Sequence, residues 1–134
     1  MITELFIKQC EQAEEIQKLR YYRRGDWFYT EKHRNDVTNG FHIICDDYSV
    51  EECNDNWLIR AKGVWLPTQE QLQEMINWKD YDIKIYWNSA PYKFYWQQDP
   101  LEMYGANGDS MNEFWLMYVM KKKYNKIWNG DDWK

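Results

Sequence analysis

The sequence is poor in the residues that build disulfide-linked or metal-based structures. Its three cysteines, Cys10, Cys45 and Cys53, are odd in number and show no CxxC spacing, so we expect reduced thiols and no disulfide framework. The two histidines, His33 and His42, have no His or Cys partner at ligand spacing. The sequence therefore predicts no metal ion and no cofactor.

Long apolar runs and the common catalytic signatures are also absent. No apolar span is long enough for a membrane helix, and no signal-peptide pattern stands at the start, which predicts a cytosolic protein with no membrane partner. The chain has no G-x-S-x-G elbow, no Gly-rich phosphate-binding loop and no papain-like cysteine context. We therefore expect no catalytic residues, and a non-catalytic protein ranks above an enzyme.

Aromatic residues are abundant instead. Nine Trp, 11 Tyr and 5 Phe make up 19% of the 134 residues, a length typical of a single domain spanning 1–134. The core must be built largely from rings, and with so many rings we expect some to stay at the surface. The net formal charge of −5 argues against a generic nucleic-acid binder, because cations supply most of the affinity for phosphates.

Three helices are predicted from apolar spacing and capping signals. Apolar residues at three- and four-residue spacing predict an amphipathic helix over about 3–19. In WLPTQEQLQEM (65–75), Thr68 and Gln71 form a capping box that predicts a helix over about 69–78. A second capping box, SMNE at 110–113, precedes FWLMYVM and predicts a helix over about 111–124. Because this helix has no polar face for two turns, it is either central in the fold or covered by a second copy, as in a homodimer through Phe114–Met120.

Period-two alternation predicts the strands. Extended segments are expected at 26–30, 41–45, 57–60, 81–87 and 92–97, with a turn at Asn39-Gly40 and with NSAP joining the last two segments into a hairpin. The fold class is therefore α+β: a single domain with an antiparallel sheet, about three helices and a central C-terminal helix. The pattern does not determine the strand order.

Two blocks of the sequence carry a family resemblance. WLPTQEQLQEM pairs with SMNEFWLMYVMKKKYNKIWNGDDW, and a GDW at 25–27 follows the amphipathic first helix. In these blocks the chain resembles small uncharacterised proteins encoded by phages and prophages of Gram-positive bacteria. The resemblance implies an accessory gene of a mobile element, and it carries over no activity and no functional residues.

A metal-dependent nuclease is the enzyme alternative. Asp82-Ile83-Lys84 has the D-x-K spacing that lets a carboxylate hold Mg²⁺ beside a lysine on a strand, and Asp46 or Asp47 follows another predicted strand. Such a tripeptide arises easily in a chain with 29% charged residues, and 132–134 contains another. An exposed strand face with one Lys and one Asp explains it equally simply.

The best candidate for a contact surface is the segment 18–34, KLRYYRRGDWFYTEKHR. Its cations outnumber its carboxylates and alternate with rings. Aromatic and basic residues together are typical of single-strand nucleic-acid grooves and of protein-interface hot spots, although a helix end running into a half-buried strand has the same composition. Alternation along 26–30 should bury either Trp27 and Tyr29 or Phe28. The predicted partner-binding residues are Arg20, Tyr21, Tyr22, Arg23, Arg24 and Trp27.

These features together predict a non-catalytic phage or mobile-element accessory protein that binds a host macromolecule. An inhibitor of a host defence protein or of a host nucleic-acid-handling protein is one concrete form of this activity. A host protein is the expected partner. A Mg²⁺-dependent nuclease and a single-stranded nucleic-acid-binding module remain the alternatives.

Overall fold

A computed structural model describes residues 2–20, 23–44, 62–76, 84–88, 93–99, 102–106 and 111–134; for the three segments between 84 and 106 it describes the backbone. The chain divides into two compact units, one formed by 10–67 and the other by 1–9 together with 68–134. The described elements are helices and antiparallel strands, so the α+β prediction is confirmed. The predicted strand at 57–60 lies outside the described residues.

The unit 10–67 contains a three-stranded antiparallel sheet in the order β2-β1-β3. Its strands are β1 (Trp27–Tyr29), β2 (Phe41–Ile43) and β3 (Val64–Leu66). A 3₁₀ helix, Glu31–His33, follows β1. Asn39 and Gly40, both with positive φ, then turn the chain back into β2, at the turn that the sequence predicts.

The prediction of one continuous helix at the start of the chain is wrong. Instead of one helix over 3–19, the chain forms α1 (Glu4–Gln12) and α2 (Glu14–Gln17), with Ala13 at φ −85° and ψ 74° between them. The break is stabilised by Gln17, whose Nε2 donates to the carbonyl oxygen of Cys10 at 3.1 Å. Phe6, Cys10, Ala13 and Ile16 are nevertheless fully buried, so the predicted apolar stripe is confirmed.

The other unit contains a second antiparallel sheet in the order β4-β5-β6. Its strands are β4 (Lys84–Asn88), β5 (Lys93–Asp99) and β6 (Glu102–Ala106). The first two form the predicted hairpin, whereas β6 was not predicted. Helix α3 (Gln69–Glu74) ends earlier than expected, and α4 (Met111–Tyr124) has the predicted bounds.

Helix α4 is central in its unit, as predicted, because it packs against α3, β5 and β6. Six of the seven residues in Phe114–Met120 are buried within the single chain; Met117 is half-buried. The run therefore leaves little apolar surface for a second copy, and the homodimer stays a prediction. The predicted N-cap Ser110 lies outside the described residues, while the buried Glu113 accepts a hydrogen bond from the hydroxyl of Thr3.

Candidate binding surface

Trp27 and Ile43 form an exposed apolar pair on the first sheet. They are direct antiparallel partners on β1 and β2. On either side of them, Ile44 N donates to Asp26 O at 2.9 Å and Thr30 N donates to Gly40 O at 2.8 Å. The pair therefore occupies a non-hydrogen-bonded position, where opposing side chains approach most closely. Trp27 is 41% exposed and Ile43 is 47% exposed.

The neighbouring rings of β1 are covered. Phe28 points to the opposite face and is fully buried, while Tyr29 shares the face of Trp27 and is only 8% exposed. Phe41 meets the Tyr29 ring edge-on at a centroid distance of 5.5 Å, and Gly40 lies directly against the same ring. The prediction that alternation buries either Trp27 and Tyr29 or Phe28 is thus wrong, because Phe28 and Tyr29 are both buried. The loop from β1 to β2 covers Tyr29, although this ring shares a face with the exposed Trp27.

Arg23 and Arg24 are exposed on a tight turn that precedes Trp27 in the sequence. Asp26 is 4% exposed, and its Oδ2 accepts the backbone N–H of Arg23 at 3.1 Å. The backbone N–H of Asp26 donates to Arg23 O at 3.0 Å, and Gly25 N donates to Ile44 O at 2.7 Å. The two exposed arginines therefore stand on a fixed turn at the end of the sheet rather than on a loose helix end.

The other predicted contact residues divide into two groups. Arg20 is exposed, but its Nη1 donates to the carbonyl oxygen of Gln17 at 2.9 Å, which gives it a structural role at the end of α2. Tyr21 and Tyr22 lie outside the described residues. The structure thus brings together Arg23, Arg24, Trp27 and Ile43, which we call the Trp27 surface. Ile43 was not predicted, because its position opposite Trp27 depends on strand register.

The two histidines meet at the start of the β1–β2 loop, which sequence reasoning also missed. Thr30 Oγ1 lies 2.8 Å from His33 Nδ1 and 2.8 Å from His42 Nε2, and Thr30 is fully buried. The ring centroids are 5.3 Å apart and the rings are nearly perpendicular. The Asn39-Gly40 turn signal between the histidines was the available clue, since a turn there folds their two segments together.

Hydrogen bonds and charges of the β1–β2 loop shift the pKa values of the titratable side chains around this cluster. Burial and then the charge of His33 lower the pKa of His42, while Asp36 opposes the shift. Hydrogen bonds from the side chain and backbone of Thr38 lower the pKa of Asp36, and both histidines contribute. The Tyr29 hydroxyl donates to Glu31 Oε2 at 2.6 Å and lowers the pKa of Glu31. The loop is therefore a hydrogen-bonded structure rather than a plain connection.

The basic group at the end of α4 has a structural explanation. Lys121, Lys122 and Lys123 lie in the last turn, where cations complement the helix dipole. Lys121 Nζ donates to Asn125 Oδ1 at 2.8 Å, and Lys122 Nζ lies 5.8 Å from the centroid of the Tyr118 ring. Burial and the neighbouring Lys121 lower the pKa of Lys122. These contacts match the role expected for a helix end.

The enzyme alternative gains no support from the described residues. Asp46, Asp47 and Asp82 lie outside them, and Lys84 begins β4. The second D-x-K, at 132–134, belongs to a turn in which Asn129 Nδ2 donates to Asp132 Oδ1 at 3.0 Å. Cys10 is fully buried and its burial raises the pKa of the thiol, which opposes a nucleophilic role. Within the described segments no group of three or more His, Cys, Asp or Glu could hold a metal ion.

No protein-family model, no curated protein and no solved structure matches this chain. In the described part of the chain, the helices are too short or too polar to cross a membrane.

Proposed function

We propose that the protein is a non-catalytic accessory protein that acts in the cytoplasm by binding a host protein through the Trp27 surface. The exposed Trp27–Ile43 pair carries this proposal. Both side chains belong to regular strands, yet 41% and 47% of their surface is accessible. Keeping a large ring in water on a strand forgoes burial worth about 1.5–3 kcal/mol, so the position is a candidate for contact with another molecule.

The composition of the surface fits a protein partner. Trp and Arg are enriched among the interface residues that contribute most to affinity, and here two arginines border an apolar pair. The matching surface would combine an apolar patch with carboxylates, because arginine binds carboxylates through paired hydrogen bonds. The resemblance to phage and prophage proteins supports a host protein, and an inhibitor of a defence or nucleic-acid-handling protein is the form we propose.

The chain offers a matched control for this proposal. Ile127 is 42% exposed and belongs to the other unit, so Ile127→Ser removes an apolar side chain of similar exposure that is not one of the residues of the Trp27 surface. The purified protein is immobilised and incubated with a lysate of a Gram-positive host. Retained proteins are then compared quantitatively among wild type, Trp27→Ser, Ile43→Ser and Ile127→Ser.

We expect one host protein to be retained by wild type and by Ile127→Ser and to be depleted on the other two variants. Removing a central tryptophan should cost at least about 2 kcal/mol, or roughly 30-fold in affinity. Equal retention on all four proteins, each folded by circular dichroism, would show that the Trp27 surface is not the contact surface.

A single-stranded nucleic-acid partner is the second candidate, favoured by the position of Arg23 and Arg24 beside an exposed ring. A base can stack on Trp27 while the arginines bind phosphates. Fluorescence anisotropy with a labelled single-stranded oligonucleotide tests this candidate directly. Adding Mg²⁺ or Mn²⁺ to the same mixtures tests the nuclease alternative, for which cleavage must disappear in Asp82→Ala.

A further inference from the structure

The hydroxyl of Thr30 restricts how the two histidines can be protonated. A threonine hydroxyl carries one hydrogen, so it donates to one partner and accepts from others. With both rings neutral and both nitrogens at 2.8 Å from Oγ1, one histidine must donate an N–H to Thr30 and the other must accept its hydrogen. Thr30 is fully buried, so a hydroxyl hydrogen that loses its acceptor has no access to water.

The effect of an added proton on these hydrogen bonds depends on which ring nitrogen accepts it. A first proton leaves the hydrogen bonds intact if it enters the distal nitrogen of the donor ring. A second proton must enter the nitrogen that accepts the Thr30 hydrogen. Both rings then donate toward Oγ1, the hydroxyl hydrogen loses its acceptor, and two cations face each other at a centroid distance of 5.3 Å. The cluster therefore holds one extra proton without damage and is disrupted by two.

The surroundings indicate which ring is the acceptor. Burial and then the charge of His33 lower the pKa of His42, which favours the neutral form of His42 and so its role as the acceptor of the Thr30 hydrogen. We propose that His33, Thr30 and His42 form a proton-controlled latch, in which His33 Nδ1–H donates to Thr30 Oγ1 and the Thr30 hydroxyl donates to His42 Nε2. The latch holds the start of the β1–β2 loop against β2 and opens when His42 Nε2 accepts the second proton.

In the described part of the chain, the charged groups nearest to the latch in sequence lie on the β1–β2 loop and directly before β1. On the loop, Glu31 is held by the Tyr29 hydroxyl and by Arg34, and Lys32 is exposed. Asp36 favours the charged form of His42 and so opposes part of the fall in the pKa of that ring. Directly before β1, at the opposite end of the strand from Thr30, Asp26 Oδ2 accepts the backbone N–H of Arg23.

The sign of the pH dependence follows from His42. Its pKa in the folded protein is lower than the ordinary value of 6.5, so the unfolded chain binds more protons between those two values. Stability therefore rises with pH in this window: it is complete well above pH 6.5 and is lost as the pH falls through 6.5 toward the lower, folded-state pKa. Asp36 and Glu31, whose pKa values are lowered, act only in a more acidic window.

The direct test is the tautomer of each ring, read from long-range ¹H–¹⁵N NMR spectra of the intact protein at about pH 7.5, above the ordinary pKa of a histidine side chain. We expect His42 to carry its hydrogen on Nδ1 with Nε2 unprotonated, and His33 to carry a hydrogen on Nδ1. His42 with its hydrogen on Nε2 at this pH would overturn the latch.

Thermal unfolding at about pH 7.5 and 5.5 tests the energetic consequence without any partner molecule. For wild type we expect the midpoint to fall by a few degrees at the lower pH. His42→Gln should abolish most of this fall, because the Gln carbonyl can accept the Thr30 hydrogen without titrating. Thr30→Ser should keep the fall and Thr30→Val should reduce it. A wild-type midpoint that is the same at both pH values would overturn the proposal. If Thr30→Val does not fold, the tautomer measurement on the wild-type protein tests the proposal in its place.

Discussion

At the residue scale, Gln17 closes one edge of the first sheet. Trp65 is on β3, which is an edge strand, and its backbone N–H and carbonyl point away from β1. Gln17 Oε1 accepts that N–H at 2.9 Å and Gln17 Nε2 donates to that carbonyl at 2.9 Å. The side-chain amide thus takes the place of a neighbouring strand, and the same Nε2 binds Cys10 O at the helix break. Edge strands closed in this way resist pairing with other chains.

Gln17→Ala should therefore destabilise the protein more than its half-buried position suggests. The substitution leaves three backbone groups without this partner, and each buried polar group left unsatisfied costs about 1–3 kcal/mol. Because water reaches part of this site, we expect a total loss of roughly 2–4 kcal/mol in urea unfolding. Gln12→Ala, at the exposed end of α1, is the control and should change stability by less than about 0.5 kcal/mol. Equal stability of the two variants would contradict the role of Gln17.

Gly40 provides a second residue-scale prediction, with Gly25 as its control. Both have positive φ, +87° and +91°, so an added side chain strains either backbone. A Cβ at Gly40 would also lie 2.6 Å from Tyr29 Cε2 and 2.9 Å from Thr30 O, whereas nothing lies within 4 Å at Gly25. We expect Gly25→Ala to cost about 1 kcal/mol and Gly40→Ala at least about 2–3 kcal/mol. Similar losses in thermal unfolding would show that the loop does not press against Tyr29.

At the element scale, the sequence predicted the elements whose signals are local. The bounds of α4 and the start of α3 follow from capping residues and apolar spacing. The break at Ala13 could not be predicted, because no Gly or Pro marks it and its stabilising contact comes from a side chain that also binds Trp65, 48 residues away. Strand β6 contains Gly105 and lacks alternation, and it pairs with β5 across a register shift between Gln97 and Asp99.

The capping box of α3 is formed in full and is testable by itself. Thr68 Oγ1 accepts the backbone N–H of Gln71 at 3.2 Å, and Gln71 Oε1 accepts the backbone N–H of Thr68 at 2.9 Å. Thr68→Ala should lower the free energy of unfolding by about 1 kcal/mol, and Thr68→Ser should retain most of it. Chemical denaturation measures both. A loss in Thr68→Ser as large as in Thr68→Ala would mean that the threonine methyl group, rather than the cap, is responsible.

At the scale of the whole molecule, the sequence predicted part of the candidate site. Arg23, Arg24 and Trp27 were among the predicted contact residues, because rings and cations alternate in 18–34 and because a helix-to-strand junction precedes Trp27. Ile43 joins them only through the register of β1 with β2, and the histidine cluster forms only because the loop folds back across Thr30. The Asn39-Gly40 turn signal indicates that the two segments meet, but no local pattern determines the register that pairs these residues. The strand order could not be derived for the same reason.

Charge distribution over the whole molecule leads to the last prediction. The protein carries −5, so long-range electrostatics repel an acidic partner, and local cations must overcome that repulsion. Arg23→Ala combined with Arg24→Ala removes two cations beside Trp27, while Lys32→Ala combined with Arg34→Ala removes two exposed cations from the loop of the same unit. Both variants change the net charge equally, so a difference between them reports local contacts.

We expect the Arg23/Arg24 variant to bind the retained host protein at least about 10-fold more weakly and with a flatter salt dependence, and the Lys32/Arg34 variant to stay within about threefold of wild type. Surface plasmon resonance over a series of salt concentrations measures both properties. A single-stranded oligonucleotide added as competitor should leave the complex largely intact if the partner is a protein and should displace a contact of nucleic-acid type. Unchanged affinity in a folded Arg23/Arg24 variant would mean that the two arginines are only the solvated side chains of a turn.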